Sequence, residues 1–130
     1  MRRLSIIRIG LATLLLAAVP AVAMALTVTL EFDRAFIDRS SREAVMTGIY
    51  ECDAGTTGTI TAVLTQGNHE AGGTVPLVCT DSEQTWEVRV PLGTPPFHPG
   101  PATVDLGFFA TDGTDSIVSG RHLEITLEPR

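Results

Sequence analysis

From position 26 onward apolar residues return at every second place, and no stretch carries them at helical spacing. That alternation is the mark of strands with one buried and one wet face, and it predicts an all-β chain. Leu26, Val28, Leu30 and Phe32 alternate with Thr27, Thr29 and Glu31, and Ile60, Ala62 and Leu64 alternate with Thr59, Thr61 and Thr65. Further sets are Val75, Leu77 and Cys79; Trp86, Val88 and Val90; Ala102, Val104, Leu106, Phe108 and Ala110; and Leu123, Ile125 and Leu127. Val45 to Cys52 is strand-like with ambiguous facing, which suits a strand covered on both faces. Turn signals separate the sets at Asp53-Ala54-Gly55, Gln66-Gly67-Asn68, Ala71-Gly72-Gly73, Asp112-Gly113 and Ser119-Gly120. Seven short strands at such intervals predict a single antiparallel β-sandwich. Of 17 threonines, 16 lie beyond position 25, in keeping with half-exposed pleats. Pro76 marks an edge strand or a bulge, and Asp33 to Glu43 is expected to hold a helical turn or a long connection.

The first 25 residues differ in kind. Arg2, Arg3 and Arg8 precede an apolar run from Ile9 to Val19, followed by Pro20 and the small-residue run Ala21-Val22-Ala23-Met24-Ala25. This order is that of an export signal, with cleavage expected after Ala25 or, as the second choice, after Ala23. The competing reading is an uncleaved anchor, since Ile9 to Leu26 just reaches spanning length without a charge. Arg2-Arg3 fits a twin-arginine signal poorly because Leu4-Ser5-Ile6 follows it. Residues 26–130 then form one secreted domain. Its net charge moves from −6 to −9, because three of the nine arginines and none of the 15 acids lie in the segment removed. With neither a basic cluster nor a second apolar segment, the domain is expected to bind no nucleic acid and, after cleavage, no membrane.

Export also decides how Cys52 and Cys79 read. In an oxidising compartment, a lone pair of cysteines in a small domain predicts a disulfide, whereas two cysteines without a second pair make a poor zinc site. Closing that loop contributes about 3.5 kcal/mol by chain entropy, a large part of the stability of a domain this size.

Gly48-Ile49-Tyr50-Glu51-Cys52, Leu64-Thr65-Gln66-Gly67, Cys79 with Trp86-Glu87-Val88-Arg89-Val90-Pro91, and Phe97-His98-Pro99-Gly100-Pro101-Ala102 together resemble a family of small exported actinobacterial proteins of unassigned function. The resemblance spans roughly Ala44 to Glu128. It implies an immunoglobulin-like sandwich of about seven strands with one disulfide, and it brings no catalytic residue. The absence of Lys beside nine Arg agrees with a high-GC source. Gly48-x-Tyr50-x-Cys52 is similar to the tyrosine corner of immunoglobulin domains, but it precedes the first cysteine rather than the second. The 27-residue spacing is also short for the usual cross-sheet pair.

Motifs for hydrolysis, phosphate binding and metal ligation are missing from the sequence, so the chain is expected to be no enzyme and to need no cofactor or metal. His69, His98 and His122 stand apart, with His69-Glu70 expected in a Gly-rich connection and His122 pointing to solvent. Asp112-Gly113-Thr114-Asp115 reads as a hairpin turn rather than a calcium loop. Asp81, Glu83 and Asp105 read as solvated acids without partners. Trp86 is expected to pack against the disulfide. The proline loop places Pro95, Pro96, Phe97, His98 and Pro99 on a chain with little conformational freedom. It is a candidate binding loop, weighed against a plain crossover with Phe97 plugging the core. The functional expectation is a secreted, monomeric, non-catalytic protein binding an extracellular protein or glycan. The alternative is a small secreted inhibitor or an apolar-ligand carrier.

Overall fold

A computed structural model describes residues 6–9 and 26–129. All regular structure there is β: β1 Ile6–Ile9, β2 Leu26–Asp38, β3 Glu43–Cys52, β4 Thr57–Gln66, β5 His69–Val78, β6 Gln84–Pro91, β7 Gly100–Thr111 and β8 Ser116–Glu128. β1 pairs antiparallel with Leu26 to Thr29 of β2. The rest of the expected export segment lies outside the described residues.

Seven strands follow one hydrogen-bonded path, β5-β4-β7-β8-β2-β3-β6. Every pairing on it is antiparallel except β8 to β2, which is parallel and limited to Ala35 with Leu127 and Phe36 with Glu128. The sheet bends at that narrow seam until its two ends meet. Gly73 on β5 leaves no room for a Cβ, which would stand 2.9 Å from Val88 Cγ1 on β6. The architecture is therefore one sheet rolled close to a barrel, where the sequence suggested two separate sheets.

The alternating sets fill the interior. Val28, Met46, Ile60, Leu64, Val88, Val104, Leu106 and Leu127 are fully buried, drawn from six of the strands. Burial of this kind is the main stabilising term of the domain. β3 keeps Ala44, Met46, Gly48, Tyr50 and Cys52 on the inner side, and Val45 on its outer side is buried as well.

Three expectations need correction. Ser119-Gly120, read as a turn, lies within β8. Asp33 to Glu43 holds neither a helical turn nor a long connection, because β2 runs through to Asp38. Its register with β3 slips between Phe32 and Arg34, so the inward residues are Val28 and Leu30 before the bulge and Ala35 and Ile37 after it. One extra residue reverses the phase, and a strict period of two is lost there. Ala71-Gly72-Gly73 is not a turn but the middle of β5, and the hairpin closes at Gly67-Asn68 between Gln66 and His69. Pro76 does lie on an edge strand, since β5 ends the path.

Beyond β2, Asp38 organises the turn into β3. Its Oδ1 accepts from the Ser40 amide and hydroxyl and from the Ser41 amide, and its Oδ2 accepts from Arg89, which also meets Glu43 and Glu87. The Ser40 hydroxyl, assisted by Arg89, holds the Asp38 carboxyl down to about 2. A carboxyl depressed in the folded state stabilises above its unfolded pKa and loses that contribution as pH falls through the folded value. The stability gap between the wild type and Asp38→Asn should thus be constant above about pH 5 and close between roughly pH 4 and pH 2. Urea midpoints at pH 6, 4 and 2.5 check this, and a gap unchanged by pH would contradict it.

Candidate functional site

Cys52, at the end of β3, is bonded to Cys79, just past β5, with the Cα atoms 4.9 Å apart. Despite its short spacing, the bridge joins the three-stranded part of the sheet to the four-stranded part. The same end is laced by hydrogen bonds. The Tyr50 hydroxyl accepts from the Val78 amide at 2.9 Å, Asp81 N–H donates to the Cys52 carbonyl, and Ala54 N–H donates to Asp81 Oδ1. Asp81 is thus a structural acceptor rather than a solvated acid without a partner.

Trp86 is 3 % exposed and belongs to the same core cluster as Cys52, against which Cys79 packs. It sits opposite Gly48 in the β3–β6 register, its ring is tilted against Phe32 at 6.3 Å, and its Nε1–H donates to the Glu31 carbonyl at 3.0 Å. A buried indole needs such an acceptor. The glycine on β3 makes room for it.

At the opposite end lies the proline loop, residues 92–99. Phe97 is 3 % exposed and belongs to the core, so it cannot be a surface contact of a binding loop. His69, expected in a loop, is the first residue of β5, and its ring stacks on Phe97 at 3.9 Å while Nε2–H donates to the Leu92 carbonyl at 2.7 Å. Gly93 has φ +83°, and a Cβ there would fall 2.2 Å from His69 Nε2, so only glycine fits. Gln66 secures the far side, with Nε2–H donating to the His98 and Pro101 carbonyls and Oε1 accepting from the His98 amide. Pro95, Pro96, His98 and Pro99 remain exposed. Between them and the Gly67-Asn68 turn is a hollow of about 380 Å³ lined by Gln66, Asn68, His69, Pro95, Pro96 and His98.

The sequence reading passed over the outer face of β5-β4-β7-β8. Its side chains fall in rows across the four strands, set by the register. One row is Gly72, Val63, Asp105 and His122; the next is Thr74, Thr61, Gly107 and Gly120; the next is Pro76, Thr59, Phe109 and Val118. Asp105 is not unpartnered, because His122 Nδ1–H donates to its Oδ1 at 2.6 Å. This pairing orients the imidazole and leaves Nε2 toward solvent. Thr61 and Thr74 hydroxyls share a hydrogen bond at 3.3 Å, and Phe109 and Val118 are 41 % and 78 % exposed. The absence of side chains at Gly107 and Gly120 leaves a hollow of about 450 Å³ lined also by Thr61, Val63, Asp105, Arg121 and His122. A second hollow, of about 680 Å³, opens beyond the Asp105–His122 row and is lined by Thr65, Thr103, Glu124 and Thr126.

The two glycines differ. A Cβ on Gly107 would come within 2.9 Å of the Ser119 carbonyl, so the backbone of β8 excludes it, whereas one on Gly120 would touch nothing closer than 3.8 Å. Gly in a strand interior costs about 0.5–1 kcal/mol relative to Ala. No internal contact of the protein requires it at Gly120.

The Asp112–Asp115 segment is a hairpin turn between β7 and β8, as expected, with Asp112 Oδ1 accepting from the Thr114 and Asp115 amides at 2.8 Å each. Those bonds hold its carboxyl below the usual range. Among the described residues no three His, Cys, Asp or Glu side chains gather as a metal site would need. No protein-family model matches this chain, and no curated protein matches it either.

Proposed function

We propose that this chain is an exported, non-catalytic, immunoglobulin-like β-sandwich that acts by binding at the cell surface or in the medium. The short parallel β8–β2 contact, which divides the seven-strand path into runs of four and three strands, supports the immunoglobulin-like reading. The disulfide supports an oxidising destination. Membership in the family of small exported actinobacterial proteins belongs to the same proposal and is supported by the residues quoted for it.

The observation that carries the binding reading is the open outer face of β5-β4-β7-β8, where two hollows flank a fixed Asp105–His122 pair. Concave sites with a few converging polar groups are where ligands settle. An apolar-ligand carrier is less well supported, because Met46, Ile60, Leu64 and Leu106 are fully buried in the interior of the rolled sheet, where its cleft would lie. An inhibitor would act through Pro95, Pro96, His98 and Pro99, which stand on a firmly fastened loop.

Expression in a secreting host tests the reading. The expected result is soluble protein beginning at Leu26, by intact mass, and retained specifically by cell-envelope or medium components. Met1 retained in the membrane fraction, or no specific retention by either, would overturn it.

A further inference from the structure

We propose that the hollow over Gly107 and Gly120 is a glycan site that takes an uncharged pyranose unit of an extracellular polysaccharide. This rests on the binding reading above and names its ligand class. Gly107 and Gly120 put no side chain into the hollow, so a sugar ring can approach the backbone of the sheet there. Gly in a strand interior without an internal reason marks such a close approach, and Gly120 is one. Around the rim stand the groups a sugar needs. Asp105 accepts from hydroxyls, His122 Nε2 exchanges a hydrogen bond with them, and the Thr61 hydroxyl can do either. The exposed Phe109 ring, one row away, offers an apolar face to the C–H side of a pyranose.

Charge selects among glycans. Glu70, Asp105 and Glu124 lie on these outer rows, Arg121, which lines the hollow, already has a partner within the protein, and the exported domain carries −9, so an anionic polymer is repelled and a neutral one is not. A protein partner is less favoured, because Phe109 is the one aromatic on these rows, there is no Trp or Tyr to anchor an interface, and Arg121 is already engaged within the protein. The larger hollow beyond Asp105 and His122 gives the adjoining unit of a chain a place on the same face.

The test is retention of the secreted protein on cellulose, chitin and mannan, with polygalacturonate as the anionic control. Wild type should be held by at least one neutral polymer and not by polygalacturonate. Gly120→Thr fills the hollow with a strand-favouring residue, so it should keep or raise the melting temperature while binding falls about tenfold or more. Phe109→Ala should bind more weakly with little change in melting temperature. Retention by none of the neutral polymers, equal retention on polygalacturonate, or undiminished binding by a folded Gly120→Thr would each overturn the glycan site. If the protein is instead held specifically by another envelope component, the glycan inference fails and the binding reading stands. If nothing holds it, both fail.

Discussion

Replacing both bridged cysteines, Cys52→Ala with Cys79→Ala, will lower the melting temperature by about 15 °C. The bond closes a 27-residue separation and ties the end of β3 to the end of β5. Loop-closure entropy of that length corresponds to about 3.5 kcal/mol, and a domain of this size shifts by roughly 4 °C or more per kcal/mol. Alanine is chosen because Cys52 is buried, and a serine would add an unsatisfied hydroxyl to the loss of the bridge. The loss should be accompanied by weaker protection of the Val78 and Asp81 amides, whose partners Tyr50 and Cys52 lie on the other side of the bridge. Differential scanning calorimetry of the oxidised wild type and the double variant measures the effect. A shift below about 4 °C would mean that these hydrogen bonds hold the two parts together without the disulfide.

The second large effect is at Phe97. Its ring is buried at the loop end of the core and covered by His69, so Phe97→Ala removes both an apolar anchor and the stack. Deleting a buried aromatic costs about 3–5 kcal/mol. The variant should therefore unfold at a much lower urea midpoint with an unchanged slope. A loss under about 1 kcal/mol would place Phe97 at the surface in solution, and would return the loop to the role of a contact site built on an exposed ring.

What could be read from the chain beforehand depended on range. The inner face was legible because each strand states its own phase, and Ile60-Ala62-Leu64 or Ala102 to Ala110 needed no knowledge of a neighbour. The phase was lost where a bulge intervened, at Asp33, since a single inserted residue looks locally like the end of a strand. Gly72-Gly73 read as a turn because glycine pairs usually make one. Here they keep β5 thin against Val63 on one side and Val88 on the other, a requirement set by strands far along the chain.

The candidate site fell on the illegible side for the same reason. Thr61, Asp105, Gly107, Phe109 and His122 are the outward partners of residues that were correctly placed inward, and Gly120 was read as part of a turn. Only register brings them into adjacent rows. His122 reads as a solvent-facing histidine and Asp105 as a lone acid until Asp105 is known to stand opposite His122 on β8. Phe97 carries the reverse lesson. An aromatic among prolines suggests display, but whether it turns outward was decided by a histidine 28 positions earlier that offered it a stacking partner.

On this reading the protein binds through the outer face of β5-β4-β7-β8. Amide shifts of the isotope-labelled secreted protein, followed during titration with a soluble oligosaccharide of whichever neutral polymer retains it, test this most directly. Saturable shifts are expected at Thr61, Asp105, Gly107, Phe109, Gly120 and His122, with residues 94–99 unmoved. Shifts confined to the proline loop, or spread over the β2-β3-β6 side, would contradict it.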